Sequence, residues 1–196
     1  MKINASGLLS KVGTALLLAE LALILVSWLL SASMTEGVRS LLSSEGIRWF
    51  FGSFVRMMAS PVLVWLVLVL IALGSLQKSG LLAMKQSYRD KVALRVALLF
   101  LAIYVAVILL LTVFPHAILL STTGSLFPSA FSRSLVPLVA FGLVMVSITF
   151  GVMSGRISSL AGILETLSFG ITKGASLFVL YILFMQFYES LWFVFG

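Results

Sequence analysis

Cysteine is absent from this 196-residue chain, and histidine occurs once, at His116. Without cysteine the chain can form neither a disulfide bond nor a thiolate metal site. A single histidine excludes a metal site built from several histidines, and we can assemble no Ser–His–Asp set around it. No phosphate-binding G-x-x-x-x-G-K-[ST] motif occurs either. These absences predict a protein that is not an enzyme and carries no cofactor or metal.

Charge is also scarce, since 10% of the residues are charged and 61% are apolar. Soluble domains carry about a quarter charged residues, so this chain has too few polar groups to cover a globular surface. Part of its solvent must therefore be lipid, where the backbone has to satisfy itself as helix or closed barrel. The apolar runs are long and continuous rather than alternating, which favours helices over a barrel.

The apolar runs predict an all-α, polytopic protein that folds as a single membrane domain over residues 1–196. A spanning helix needs about 20 mostly apolar residues. The predicted spans cover residues 13–33, 54–76, 93–114, 134–155 and 174–195. Two amphipathic segments, 35–51 and 157–173, predict short helices that lie in the membrane interface. Pro61 and Pro137 are expected in the early turns of their helices, where a missing N–H costs least.

The first apolar run follows Lys2 and Lys11 and precedes small residues, which is the pattern of a signal peptide. However, the run from Thr14 to Leu30 is longer than the usual signal core of about 7–15 residues. Further apolar segments follow it, so we expect this run to be a retained first helix.

Basic residues predict the orientation of these helices. With the N-terminus inside, the cytoplasmic segments hold nine Lys and Arg residues and the outer segments hold four. This bias favours the inner (cytoplasmic) membrane with the N-terminus inside and the C-terminus outside. The formal net charge of +7 is thereby explained by topology. No basic run is interleaved with stacking aromatic residues, so we expect the lipid bilayer and no nucleic acid as a partner.

The segment "LLSSEGIRWFFGSF" at positions 41–54 places charged and aromatic residues at the edge of an apolar run. We interpret Arg48, Trp49 and Arg56 as interface anchors. A tryptophan ring with its polar N–H suits the headgroup region, and arginine stems can remain in hydrocarbon while their charges reach phosphates. The interfacial helix is expected to break at Gly46.

Three polar residues in the predicted spans are candidates for a transport or polar site: Glu20, Gln186 and Glu189. An acid at the depth of Glu20 is costly and faces protein or water. It is either a proton or cation site, or a carboxyl group that is protonated or bonded to a neighbouring helix. Glu189 lies nearer the outer end of the last helix, where interfacial anchoring is favoured over transport chemistry.

Small residues at helical spacing predict close helix packing at Ser147, Gly151 and Gly155. Residues of this size let two helix backbones approach each other. His116 follows Pro115 at the outer end of the third span, and we interpret it as a solvated cap.

The segment at 41–54, followed by an apolar run and "KSGLL", resembles the aminobenzoyl-glutamate transporter (AbgT) family. In that family an "LLS-x-E-G" segment with a nearby tryptophan precedes the second helix, which ends near an "SGL" turn. "SRSLVPLVAFGLVMVSITFGVMSGRI" and "FMQFYESLW" are similar to two later family helices. The resemblance implies a dimeric, ion-driven secondary transporter of aromatic acylated amino acids, with outer scaffold helices and re-entrant hairpins.

This chain departs from the family pattern in two places. The family carries a hairpin and an "SSD" motif after the "SGL" turn, where this chain has a short basic, polar link. The family's second half, with its "SGSA-x-W" hairpin, has no counterpart in these residues. The resemblance therefore extends to the scaffold helices, and no substrate-binding position carries over.

Two hypotheses follow from the sequence. The chain is either a reduced AbgT-like transporter of aminobenzoyl-glutamate-like organic anions, or a non-transporting structural or regulatory subunit that packs against a partner. Both imply a homo-oligomer or a complex with another membrane protein. Glu20 and Gln186 discriminate between them: a shared wet cavity favours transport, and close-packed helices favour the structural subunit.

Overall fold

A computed structural model describes residues 5–84, 87–113 and 130–196. The regular secondary structure of this part of the chain is all helical, and it contains no strand. Five of its helices are long and apolar enough to cross a membrane. The prediction of an all-α, polytopic membrane protein is therefore confirmed.

Seven helices follow one another along the described residues. They are α1 (Ala5–Ala32), α2 (Ser44–Met58), α3 (Pro61–Lys78), α4 (Tyr88–Val113), α5 (Ala130–Met153), α6 (Leu160–Lys173) and α7 (Ala175–Phe195). The candidate spans are α1, α3, α4, α5 and α7.

The helices form two compact units, which are described separately. Unit 1 comprises Met1–Leu63 and Ala175–Gly196, and unit 2 comprises Val64–Gly174. Whether the two units act as the single membrane domain expected from the sequence stays a prediction.

The boundaries of α2 differ from the sequence prediction. The helix begins at Ser44 rather than near residue 35, and it continues through Gly46 instead of breaking there. Ser43 caps it, because its hydroxyl accepts a hydrogen bond from the Gly46 N–H at 3.0 Å. Turns occupy the preceding segment, where Met34 and Gly37 adopt positive φ angles. Amphipathic periodicity alone did not reveal this cap.

The predicted second span, 54–76, is wrong at its start because α2 runs to Met58 and α3 begins only at Pro61. Proline lacks the N–H that would continue the helix, so the chain turns at Ala59 and Ser60. Tyr181 of α7 holds this corner. Its hydroxyl donates to the Met58 carbonyl at 2.9 Å and is bonded to the Ser60 hydroxyl at 2.8 Å.

The predicted position of Pro137 is also wrong, since this residue lies inside α5 rather than in its early turns. The helix extends back to Ala130, which is beyond the predicted start at residue 134. The other predicted elements lie within a few residues of α1, α4, α6 and α7. The exceptions are the start of α1, at Ala5, and the start of α4, at Tyr88, which both precede the apolar runs.

Unit 1 packs α1, α2 and α7 around one apolar cluster. Leu23, Phe193 and Val194 are its buried members, and Trp49 packs against them. The Trp49 ring stacks on the Phe193 ring with centroids 4.4 Å apart. The backbone N–H of Arg39 donates to the Val194 carbonyl at 3.0 Å, which joins the segment before α2 to the end of α7.

Unit 2 contains the α4–α5 pair, whose buried core consists of Ala93, Ala97, Val146 and Phe150. In the same unit α3 and α6 approach at two glycines. A Cβ atom added to Gly170 would overlap the Leu70 carbonyl oxygen, so only glycine fits at this crossing.

Arg156, just after α5, connects three elements of unit 2. Its guanidinium donates to the Ser79 and Gly80 carbonyls at 3.3 and 2.6 Å and to the Asp90 carboxylate at 3.0 Å. Asp90 is buried, so this charged partner satisfies a group that would be costly alone. The end of α3 and the start of α4 are thereby held at the end of α5.

Candidate functional site

The strongest candidate site lies where α1 and α7 run side by side in the same direction. Near their starts, Gly13 faces Leu180, and a Cβ atom there would meet its side chain at 3.4 Å. Further along, Glu20 contacts Ser190. Residue numbers increase in the same direction along α1 and α7, so the two helices are parallel. Both helices are mostly apolar candidate spans, and three of their polar residues meet between them.

Glu20, Gln186 and Ser190 form one hydrogen-bonded cluster, which we call the α1–α7 polar cluster. The Ser190 hydroxyl donates to Glu20 Oε1 at 2.8 Å. Gln186 Nε2 donates to the Ser190 oxygen at 3.0 Å and, more weakly, to Glu20 Oε1 at 3.5 Å. Gln186 and Ser190 are four residues apart on one helix, so both side chains reach the same face.

Two oxygens of this cluster remain unbonded. Glu20 Oε2 and Gln186 Oε1 are buried and have no hydrogen-bond partner among the described residues. A carboxyl group with one satisfied oxygen and one free oxygen can hold a proton, accept an N–H or O–H donor, or ligate a cation. The cluster therefore joins two helices and keeps limited further binding capacity.

Three cavities of unit 1 lie elsewhere. One of about 340 Å³ is lined by residues of α1 and α7 nearer their starts, including Gly13, Leu17 and Leu180. Two others, of about 330 and 310 Å³, lie at the far end of α7. None of these three cavities is lined by Glu20 or Gln186. The α1–α7 polar cluster thus lies in a helix–helix contact, outside all three.

Glu189, the third polar candidate, is not part of this cluster. It follows Gln186 by three residues and lines the cavity of about 310 Å³ together with Arg39 and Glu45. The structure therefore brings two of the three polar candidates together and places the third in a different environment.

The three predicted interface anchors lie in or beside α2. Arg48 is exposed, and the exposed Arg56 donates to the Ser53 hydroxyl at 3.1 Å. Trp49 is half-buried, because its ring stacks on Phe193 of α7. Trp49 thus packs two helices together, and its role in anchoring the protein at a headgroup layer stays a prediction.

The predicted packing residues have different surroundings. Ser147 and Gly151 are buried in α5, and a Cβ atom on Gly151 would overlap the Ile157 side chain. Gly155 lies beyond the end of α5 with a φ angle of +79° and faces the Arg89 side chain. It terminates the helix, since glycine adopts this conformation without strain. His116 lies outside the described residues.

Sequence reasoning missed Ser190 as the partner of Glu20. The available signal was the Q-x-x-x-S spacing, which places Gln186 and Ser190 on one helix face. The pairing with Glu20 could not be read from that spacing, because it requires α1 and α7 to be neighbours. Among the described residues, no group of three or more His, Cys, Asp or Glu side chains could hold a metal ion.

No protein-family model, curated protein or solved structure matches this chain. The fold and the hydropathy of its helices define the class: it is an integral, multi-pass, all-α membrane protein.

Proposed function

We propose that this protein is a scaffold-type membrane subunit that packs its helices against a partner membrane protein or further copies of itself. In this packing role the chain resembles the scaffold helices of the AbgT family, and it catalyses no reaction. One observation carries the proposal. Glu20, an acid near the middle of α1, is bonded directly to the neighbouring helix at 2.8 Å. Polar groups used in this way hold helices together in lipid.

The described helices offer little that resembles a solute site. Each candidate span is one continuous helix of 18 to 26 residues. Secondary transporters commonly bind solute and ion at the ends of paired broken helices near mid-membrane. Continuous spans support a role in packing.

Grooves on α5 support a partner. Two cavities of about 360 and 320 Å³ lie on either side of this helix and share Leu135, Val139 and Leu143. Their linings are apolar, and Val139 is 58% exposed. A concave apolar face is filled better by the side chains of another helix than by mobile acyl chains, because association in lipid depends on close packing.

A matched pair of variants tests this proposal. Val139→Trp fills both grooves, whereas Val152→Trp changes an exposed valine of the same helix outside them. After crosslinking in native membranes, we expect the wild type and Val152→Trp to form the same complex of defined mass. We expect Val139→Trp to lose about nine-tenths of it, since added bulk at a packed contact costs about 1–3 kcal/mol. Equal yields from both variants, or a monomeric wild type, would contradict the proposal.

A second candidate function is transport of aminobenzoyl-glutamate-like organic anions, as the AbgT resemblance implies. The free, buried oxygens of Glu20 and Gln186 favour it, because they leave acceptors inside a span. Purified protein in vesicles, supplied with radiolabelled aminobenzoyl-glutamate and an ion gradient, provides the test. Flux above that of empty vesicles that is lost in Glu20→Gln would favour transport by this chain. Flux equal to that of empty vesicles would leave the scaffold function.

We also propose that the protein resides in the inner membrane with its N-terminus inside. Contacts within unit 2 support this orientation, because they bring several basic residues to the same side of that unit. Arg156 contacts Gly80 after α3, and Arg89 Nε donates to the Met153 carbonyl at 3.3 Å. Lys78 and Glu165 form an ion pair at 2.8 Å on the same unit. These contacts bring the basic ends of several helices close together, which is typical of the cytoplasmic side of a membrane protein.

A further inference from the structure

A cavity of about 310 Å³ in unit 1 contains an unusual set of charges. It is lined by Arg39, Glu45 and Glu189, with aromatic walls from Trp49, Trp192 and Phe193. We infer that this cavity, which we call the α7 end cavity, binds the headgroup of a zwitterionic aminophospholipid of the phosphatidylethanolamine type. The inference is independent of the proposed scaffold function.

The three charged side chains of the cavity do not pair with one another. Within the part of the chain that the structure describes, Arg39, Glu45 and Glu189 form no ion pair. Glu189 is half-buried in a membrane-spanning helix, where an unpaired carboxylate is costly. Arg39 and Glu45 are exposed and so open to a ligand, and one that carries both charges could contact all three side chains. A cation alone would leave Arg39 unpaired, and an anion alone would be repelled by two carboxylates.

The carboxylates, rather than the aromatic walls, favour a primary ammonium over a quaternary one. The Trp49 and Phe193 rings stack on each other at 4.4 Å, and the Arg39 guanidinium lies 5.6 Å from the Phe193 centroid. The Phe193 ring is therefore already engaged by Trp49 and by a cation of the protein itself. Recognition then falls to the carboxylates, which accept hydrogen bonds from N–H donors. A trimethylammonium group has no such donors.

A neighbouring cavity provides room for an acyl chain. It has a volume of about 330 Å³ and is lined by Tyr188, Leu191, Trp192, Phe195 and Gly196. Trp192 borders both cavities, so a polar compartment and a largely apolar one adjoin at the last turn of α7. This adjacency favours a lipid over a free zwitterion.

Native mass spectrometry of the delipidated full-length protein tests the inference. The lipids to compare are phosphatidylethanolamine, phosphatidylcholine and phosphatidylglycerol with identical acyl chains. We expect one phosphatidylethanolamine to bind about tenfold more tightly than either of the others, because they lack N–H donors or a cation. Equal affinity for the three lipids would overturn the inference. This comparison uses the wild type alone and does not depend on how a variant folds.

Two variants assign the site. Glu189→Gln is nearly isosteric and removes a charge from the cavity, and Glu36→Gln removes a charge from an exposed position outside it. We expect Glu189→Gln to lose the preference for phosphatidylethanolamine and Glu36→Gln to keep it. Equal preference in both variants would overturn the assignment to this cavity. Binding of phosphoethanolamine without acyl chains at the same concentration would overturn the lipid as the source of the headgroup.

Discussion

At the scale of single residues, Glu20 illustrates how a membrane span accommodates an acid. Its Oε1 oxygen receives a hydrogen bond from Ser190, which is fully buried. The bond replaces water that the bilayer core does not provide. Its partner Gln186 holds the Ser190 oxygen from the preceding turn of α7. Three side chains thus act together, and each depends on the geometry of the other two.

Ser190→Ala tests the cluster at this scale. The variant removes the hydroxyl that donates to Glu20 at 2.8 Å. We expect the free energy of unfolding to fall by about 1 kcal/mol, which is typical of a polar contact between helices in lipid. Reversible unfolding in mixed micelles, followed by circular dichroism, measures the change. Ser176→Ala, at an exposed position of the same helix, serves as the control. A loss no larger than that of the control would contradict the cluster.

At the scale of helices, the crossing of α3 and α6 depends on the absence of side chains. Gly74 and Gly170 face each other, and both are buried. An added Cβ atom on Gly170 would overlap backbone atoms of α3, which cannot rotate aside as a side chain can. Such contacts recur in membrane helices because dispersion forces grow as backbones approach.

Gly170→Ala should therefore separate α3 and α6. We expect unit 2 to lose about 3 kcal/mol of stability, the upper part of the range for overpacking a tight contact. Thermal unfolding of the purified protein measures the change. Gly162→Ala is the matched control on α6, since its nearest neighbours would be side-chain atoms at 3.4 Å. Alanine favours helix over glycine by about 1 kcal/mol, so the control should match or exceed the wild type. Similar losses in both variants would refute the close approach.

At the scale of the whole molecule, the arrangement of spans determines which loops face each side. The proposed topology places the residues between α3 and α4 inside and the start of α2 outside. The natural sequence contains no cysteine, so the wild type is itself an unlabelled background for cysteine accessibility.

Single cysteines at two exposed serines test this topology. Ser44 begins α2, and Ser87 precedes α4. With a membrane-impermeant maleimide, we expect Ser44→Cys to be labelled in intact spheroplasts and Ser87→Cys only after permeabilisation. Each should differ by about tenfold between accessible and protected states, because a bilayer excludes charged reagents. Labelling of both sites from the same side, or of Ser87→Cys alone in intact spheroplasts, would contradict the proposed orientation.

Much of the fold could be predicted because lipid imposes strict rules on a sequence. Long apolar runs such as 93–114 leave the backbone no option but a helix, and α4 forms there. The errors fell at helix ends. The start of α2 depends on the Ser43 cap, and the break before Pro61 depends on a corner held by Tyr181. Both involve contacts that hydropathy does not record.

The sequence by itself determined that this is an all-α, multi-pass membrane protein, since its apolar residues outnumber what a soluble surface can bear. It also marked Glu20 and Gln186 as polar residues within spans. Only the tertiary structure decided that these residues meet, with Ser190 between them, and that Glu189 faces a separate cavity with Arg39 and Glu45. The physical reason is that hydropathy is a property of each segment alone, whereas hydrogen bonds between helices depend on which segments become neighbours.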